Sequence, residues 1–431
     1  MSAVTLTPGL ARAGVKKKPT RRPKVAAIFT SFYHRSHAHV ILENFLEPYY
    51  FNGERTEPNC DVVSFFPDQI PRNDMARDAA RKYKIPIYNS IEEALCLGGK
   101  KLAVDAILSI AEHGDYPKSE FGQIMYPHKR FFDECVAVMK RSGRFVPLFN
   151  DKMLSHSWEE AQEMVDVSRK LGIPLMAGSS VPLAERRPPL EMDPDAEIEE
   201  ALAIHAGPAE VYDFHALEWL ESLIETRKGG KTGVSSVEFI RGADAVAKAA
   251  RQGRWSMDLA RAAMEAETGQ KRNPLVPIGG ENPHEPTCAL VTYQDGVKGV
   301  ILRAASWCDT RANFACRLKG KSEPLVTHFY GGPWHNRNLF KALCHAIQHH
   351  FITGEAPYPV ERTLRVSGTL DAAMQSRTQG KLIHTPHLEF TYPTKDYRAM
   401  REMGATWKII TEDIPPTQGI DSADLHPKRG R

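Results

Sequence analysis

The chain has 431 residues, of which 42% are hydrophobic and 25% charged, a composition that suits a water-soluble globular protein with enough core for two domains. Its formal net charge of +3 is too small at this length to argue for nucleic acid or an anionic membrane as a partner. Cysteines at 60, 96, 135, 288, 308, 316 and 344 are scattered and lack a Cys-x-x-Cys, which fits reduced thiols in a cytoplasmic protein and gives no zinc knuckle.

Residues 1–23 carry Lys16, Lys17, Lys18, Arg21 and Arg22 among Pro and Gly, and read as a disordered basic leader. The apolar run after them, Val25 to Phe29, is too short for the hydrophobic region of a signal peptide, and no run approaches the roughly 18 apolar residues of a spanning helix. Lys24–Phe29 is a first strand and Cys60–Phe66 a second, with a helix over Val40–Leu46 between them. Met75–Tyr83 is helical, Ile85–Tyr88 a small strand, and Ser90–Leu95 a helix capped by Ser90. Val104–Ala111 is apolar apart from Asp105 and Ser109, close to what a strand buried on both faces requires. A helix covers His128–Arg141.

Phe145–Phe149 is another apolar run, and it ends in Asn150, Asp151 and Lys152. In the helix that follows, Ser155 or Ser157 is the cap, Glu159 and Glu160 suit the helix dipole, and Gly172 is the stop. Ile173–Ala177 returns as a strand. Strand, charged loop, helix, strand is a crossover unit; such units build parallel sheets whose ligands bind beyond the carboxyl ends of the strands, where Asp151 and Lys152 lie. The alternation over 24–178 predicts an α/β, Rossmann-like doubly wound parallel sheet. Residues 179–200 read as a linker. Residues 201–391 change to β-alternating runs (201–204, 234–240, 288–293, 297–304, 324–330) with helices at 215–227, 243–251 and 256–267, an α+β domain with a large, mostly antiparallel sheet. A tail, 392–431, follows.

Several of these stretches carry a resemblance. Asp151-Lys152-Met153, Trp158–Met164 and Gly172–Gly178 resemble the central motif of the glucose-fructose oxidoreductase / inositol dehydrogenase (Gfo/Idh/MocA) family, with Met153 where the family has proline. Ala79–Leu95 and Val104–Ala111 resemble its second crossover and fourth strand, and Pro357–Ala373 its last helix, so the likeness spans most of 24–391. It implies NAD or NADP as cofactor, a small carbohydrate-like substrate, no nucleic acid or membrane partner, and a homo-oligomer paired through an open face of the large sheet.

The resemblance also implies roles. Lys152 falls on the lysine that stands beside the nicotinamide and the reacting hydroxyl, where an ammonium orients the alcohol and lowers its pKa. Val211–Leu220 resembles the family's Asp-x-Gly-x-His-x-x-Asp helix opening, which makes His215 the acid/base group. The family's Asp four residues earlier is Val211 here, and Asp213 is the candidate replacement.

The nucleotide loop departs from the family. An ungapped fit puts Phe29, Ser31 and His34 on its three glycines and His37 on its histidine. Those glycines serve a tight turn, close approach of backbone to pyrophosphate and helix packing. A Cβ forced into left-handed backbone costs about 1–2 kcal/mol. Thr30, Ser31, His34 and Arg35, at a helix N-terminus, are the candidate phosphate ligands. Asp68, late after the second strand, with His113 and Asp151, completes the candidate cofactor set. His34, His37 and His39 share one loop without a neighbouring carboxylate or thiolate, so no metal is expected. The leading reading is an NAD(P)-dependent oxidoreductase; a sugar lyase or epimerase on the same scaffold and a non-catalytic ligand-binding homologue stay open.

Overall fold

The computed structural model describes residues 21–230 and 232–421. Positions 1–20 of the predicted leader and 422–431 of the predicted tail lie outside them.

The first sheet has five strands in the order β4-β1-β5-β6-β7, all parallel. In chain order its elements are β1 (Lys24–Phe29), α1 (His37–Leu46), a hairpin of β2 (Tyr49–Phe51) and β3 (Glu54–Thr56), β4 (Asp61–Pro67), α2 (Ala76–Tyr83), α3 (Ile91–Cys96), β5 (Ala106–Ile110), α4 (His128–Ser142), β6 (Leu148–Asp151), α5 (Trp158–Leu171) and β7 (Leu175–Gly178). Ser157 is the residue that caps α5, and Gly172 ends it in left-handed backbone. The direction of winding reverses between β1 and β5, and a crevice at such a switch point is where open α/β sheets hold ligands.

Two predicted strands differ. Ile85–Tyr88 contributes only a bridge between Ile87 and Phe65, because Pro86 has no N–H with which to extend a ladder. The strand predicted from Phe145 begins at Leu148, after Pro147, and Phe145 is exposed.

The second sheet has eight strands in the order β15-β10-β11-β12-β9-β13-β14-β8. Its elements are β8 (Glu185–Arg187), β9 (Ile198–Ala206), α6 (Val211–Ile224), β10 (Val234–Arg241), α7 (Ala243–Arg251), α8 (Met257–Thr268), β11 (Thr287–Tyr293), β12 (Lys298–Arg303), β13 (Cys308–Leu318), β14 (Leu325–Tyr330), α9 (Asn336–Thr353), α10 (Val360–Gln379) and β15 (Ile383–His384). Only β12 and β9 pair in parallel; the other neighbours are antiparallel. Along β9 the side chains alternate, Ala201 and Ala203 facing the core with α6 and α10, Leu202 and Ile204 facing Val246, Trp255 and Leu259 of the α7–α8 side. Helices α7 and α8 thus cover sheet surface that the resemblance leaves open. The predicted linker supplies an edge strand, β8. Sequence reading missed β13, whose Asp309, Thr310, Arg311 and Asn313 interrupt the apolar alternation.

Late elements complete the first domain. Phe340, Leu343 and Ile347 of α9 share a core with Ile41 and Phe45 of α1 and Phe65 of β4. Beside them Arg337, 1% exposed, bonds Glu43 of α1 and, at 2.9 Å, Asp421. The stretch 392–421 is packed: Tyr392 OH donates to Glu225, Tyr397 OH to the Ser222 carbonyl, and the Trp334 indole to the Ile414 carbonyl. Among the described residues no helix is long and apolar enough to cross a membrane. Removing one partner of a buried ion network leaves the others uncompensated, so Arg337→Met is predicted to cost about 3–5 kcal/mol in chemical denaturation. A loss below about 1 kcal/mol would show that Glu43 and Asp421 find other partners.

Candidate active site

The site grows from two adjacent strand ends. β6 stops at Asp151, and Lys152 turns away with φ 60, its N–H donating to the Gly178 carbonyl at 3.2 Å. That turn sends the ammonium to within 3.2 Å of Glu112 Oε2, just beyond the end of β5; both residues are buried. The other Glu112 oxygen lies 3.6 Å from His128 Nε2, and Thr30 Oγ1 donates to the Glu112 carbonyl at 2.5 Å. Burial pushes the Glu112 carboxyl upward, but the Lys152 ammonium outweighs it and holds the acid well below the usual carboxylate range. Next to this pair, Asp151 Oδ2 lies 2.5 Å from Nδ1 of His37, the first residue of α1.

His215 approaches from the other domain, on the first turns of α6. Burial first, then the neighbouring Lys152 ammonium, push its pKa well below the ordinary value, so it is a neutral imidazole. Asp213 does not serve it. Its carboxylate takes His205 Nε2 at 2.8 Å and the Glu210 N–H at 2.8 Å, and burial of Asp213 is outweighed mainly by His205. His215 Nδ1 is buried without a hydrogen-bond partner.

The predicted cofactor residues divide. Ser31, His113 and Asp151 line the β1–β5–β6 end with Ser31 Oγ, His113 Nε2 and Asp151 Oδ1 buried and unpaired. His113 packs edge-on against Tyr33 and His37, and burial, with His37 behind it, lowers its pKa to about 3. Thr30 is spent on backbone contacts to β5 and its loop. Arg35, at φ 67, turns its guanidinium to the Trp334 carbonyl at 2.7 Å, and His34 Nδ1 lies 3.3 Å from Asp421. Asp68 accepts from Tyr116 OH and from Arg130, each at 2.6 Å. His34, His39 and Asp421 are grouped as metal ligands would be. However, the Arg35 N–H donates to His39 Nδ1 at 2.8 Å, which leaves the proton of a neutral ring on Nε2, the atom facing Asp421. Nε2 lies 2.7 Å from Asp421 Oδ1 without a hydrogen bond to it, so the structure supplies the carboxylate that the sequence reading found missing beside these histidines.

Sequence reading assigned no role to Glu112, His128 or Glu210, and took His37 as a family position and as one of three loop histidines weighed for a metal. An acid directly after a wholly apolar strand end was the available signal for Glu112. Glu210 had none: it stands at φ 69, ψ −69, where the Val211 N–H closes back on the Ala209 carbonyl at 3.0 Å, a rare and strained γ-turn. Its carboxylate accepts the N–H of Ile124, tying the loop after β5 to α6 across the cleft. Lys152 and Glu210 both stand at positive φ beside the Glu112 carboxylate, as backbone strain tends to do at functional sites.

A cationic donor held by a carboxylate, a carboxylate-backed imidazole and a neutral imidazole around unpaired polar atoms can bind a hydroxylated ligand and move a proton from it. No family model and no curated protein sequence matches this chain. Solved structures do. GenD2 from gentamicin A biosynthesis, in complex with NAD, aligns over 87% of this chain and 99% of its own at 13% identity and a TM-score of 0.53. This is the two-domain fold of the inositol and sugar dehydrogenases. Myo-inositol dehydrogenase from Lactobacillus casei, in complex with NAD(H) and myo-inositol, aligns over 88% and 99% at 14% identity and 0.52. Myo-inositol 2-dehydrogenase from Lactobacillus plantarum aligns over 84% and 99% at 11% and 0.51. The resemblance read from the sequence therefore holds for the architecture.

Burial, with Glu112 adding to it, raises the Glu210 carboxyl to about 7. A group whose folded pKa is raised contributes stability below its unfolded pKa and loses it as pH rises through the folded value. Relative to Glu210→Gln, wild type is predicted to lose about 3 kcal/mol between pH 4 and pH 8 in urea denaturation. A difference that stays flat across that range would remove the assignment.

Proposed function

We propose that the protein is an NAD(P)-dependent oxidoreductase acting on a sugar, polyol or sugar derivative. The observation that carries the reading is the buried Glu112–Lys152 pair at the carboxyl edge of the sheet, beside the switch point, with neutral His215 facing it from the second domain. Three structural neighbours with this architecture are NAD-linked or polyol-linked by name, which supports the same chemistry here. On this reading 24–178 is the nucleotide domain and 201–391 the substrate and oligomerisation domain.

The residues present fit the cofactor at the edge of β1, β5 and β6, where Ser31, His113 and Asp151 offer unpaired polar atoms to a ribose or carboxamide. Phosphates would fall to Ser31 and His34, since Arg35 is engaged, and Asp68 with Arg130 would face the adenosine ribose. A bound nicotinamide supplies the hydride acceptor. Lys152 donates a hydrogen bond to the reacting hydroxyl and favours its alkoxide, Glu112 keeps the ammonium in place, and an imidazole takes the proton. His215, with Nδ1 unspent, holds the substrate from the opposite wall.

A second reading, an acid/base lyase or epimerase, is favoured by the glycine-free loop. Titration with NAD, NADH, NADP and NADPH by calorimetry and nicotinamide fluorescence decides between them. Dinucleotide binding below millimolar concentration is expected. None at millimolar, even with polyols present, would leave the lyase reading. Lys152→Ala and His215→Ala are each predicted to lower kcat/KM by roughly 100-fold or more, with melting curves recorded to separate lost chemistry from lost fold.

A further inference from the structure

We propose that the proton acceptor of this site is His37, backed by Asp151, and that His215 binds the substrate instead; the proposal rests on the oxidoreductase reading. The resemblance puts His37 on the family's loop histidine without giving it a role, sets Asp151 beside the cofactor and gives the proton to His215.

The geometry divides the two imidazoles. A general base works best when a third group fixes its tautomer and stabilises the cation it becomes. His37 has that group: its Nδ1 lies 2.5 Å from Asp151 Oδ2, with Asp151 wholly buried. The proton therefore sits on Nδ1, and Nε2 keeps its lone pair. His215 lacks it. Its candidate carboxylate, Asp213, is committed to His205 and to the Glu210 N–H, and the Lys152 ammonium beside it opposes a further positive charge.

Position points the same way. Asp151 ends β6, and the left-handed backbone at Lys152 turns its ammonium to Glu112 at the same strand end as the dyad. The His37 ring packs edge-on against His113 and Phe340 and keeps some exposure, which leaves it a defined wall and an open edge. In the reaction the substrate O–H bond breaks and its proton forms the Nε2–H bond of His37. Lys152 steadies the oxygen and Asp151 offsets the imidazolium charge. The hydride lost from the same carbon is the two-electron part that NAD(P) takes up.

The test uses the full chain and needs no known substrate. Carbethoxylation by diethyl pyrocarbonate, mapped by mass spectrometry, reads the nucleophilicity of each imidazole. His37 is expected to react faster than His113 and His128 in wild type, to slow at least tenfold in Asp151→Asn, and to be protected by NAD with myo-inositol. An inert His37, or a rate unchanged in Asp151→Asn, would overturn the proposal; should that variant not fold, the wild-type ranking decides. With NAD and any polyol that is turned over, His37→Gln should lower kcat about 100-fold or more at nearly constant KM, whereas His215→Gln should raise KM. Wild-type kcat in a folded His37→Gln protein would also overturn it. If His37 reacts as described but calorimetry shows no dinucleotide binding, the oxidoreductase reading fails while the dyad stands as the base of another reaction.

Discussion

Glu112 and Lys152 are withdrawn from water together, and an ion so placed costs several kcal/mol unless a partner of opposite charge and further hydrogen bonds repay it. Adjacent strand ends supply that repayment. β5 delivers the acid and β6 the lysine, and the left-handed turn at Lys152 is what aims the ammonium across the gap. His128 of α4 stands 3.6 Å from the other carboxylate oxygen, and Thr30 of the β1 loop fixes the Glu112 backbone by bonding its carbonyl. Two apolar side chains would join these strand ends at least as firmly, so the stability of the fold does not account for the charges. On the proposed function, a poised donor at the ligand end of the sheet is what they provide.

The loop after β1 shows how the fold survives without its glycines. The Asp68 and Gln69 N–H groups donate to the carbonyls of Phe29 and Thr30, so the chain runs extended past the sheet before it turns. Phe32 goes into the core, and Ser36 Oγ accepts from both Tyr33 and His39 N–H. A left-handed residue is still required, and it falls at Arg35, whose backbone N–H is satisfied by His39. The loop therefore presents hydroxyl and imidazole side chains where the glycine-rich form presents bare amides.

Closure of the site depends on contacts between the domains. The Ser179 N–H donates to Glu218 of α6, and Thr363 of α10 donates to the Ala177 carbonyl, so the end of β7 is pinned to both helices. Glu210 adds a tie on the far side through Ile124. Its γ-turn is the cost of starting α6 where His215 reaches the cleft, and the capping box with Asp213 holds that start in place.

The sequence by itself determined the elements whose signals are local. Period, caps and stops were enough for β1, α2, α3, α5 and β7, and for the change from parallel to antiparallel texture beyond residue 200, because burial on one face or two imposes a pattern on the chain itself. It also placed Asp151 and Lys152 at a ligand end, since a strand that ends in charge announces its edge. Polar strands and returning helices were harder: β8 and β13 have no apolar alternation, and α9 completes a core whose other members lie some 300 residues earlier. Tertiary structure alone decided the pairings: Lys152 with Glu112, His37 with Asp151, Asp213 with His205 rather than His215. Which carboxylate meets which cation is a matter of ångströms between elements distant in sequence, and no periodicity within one element encodes it.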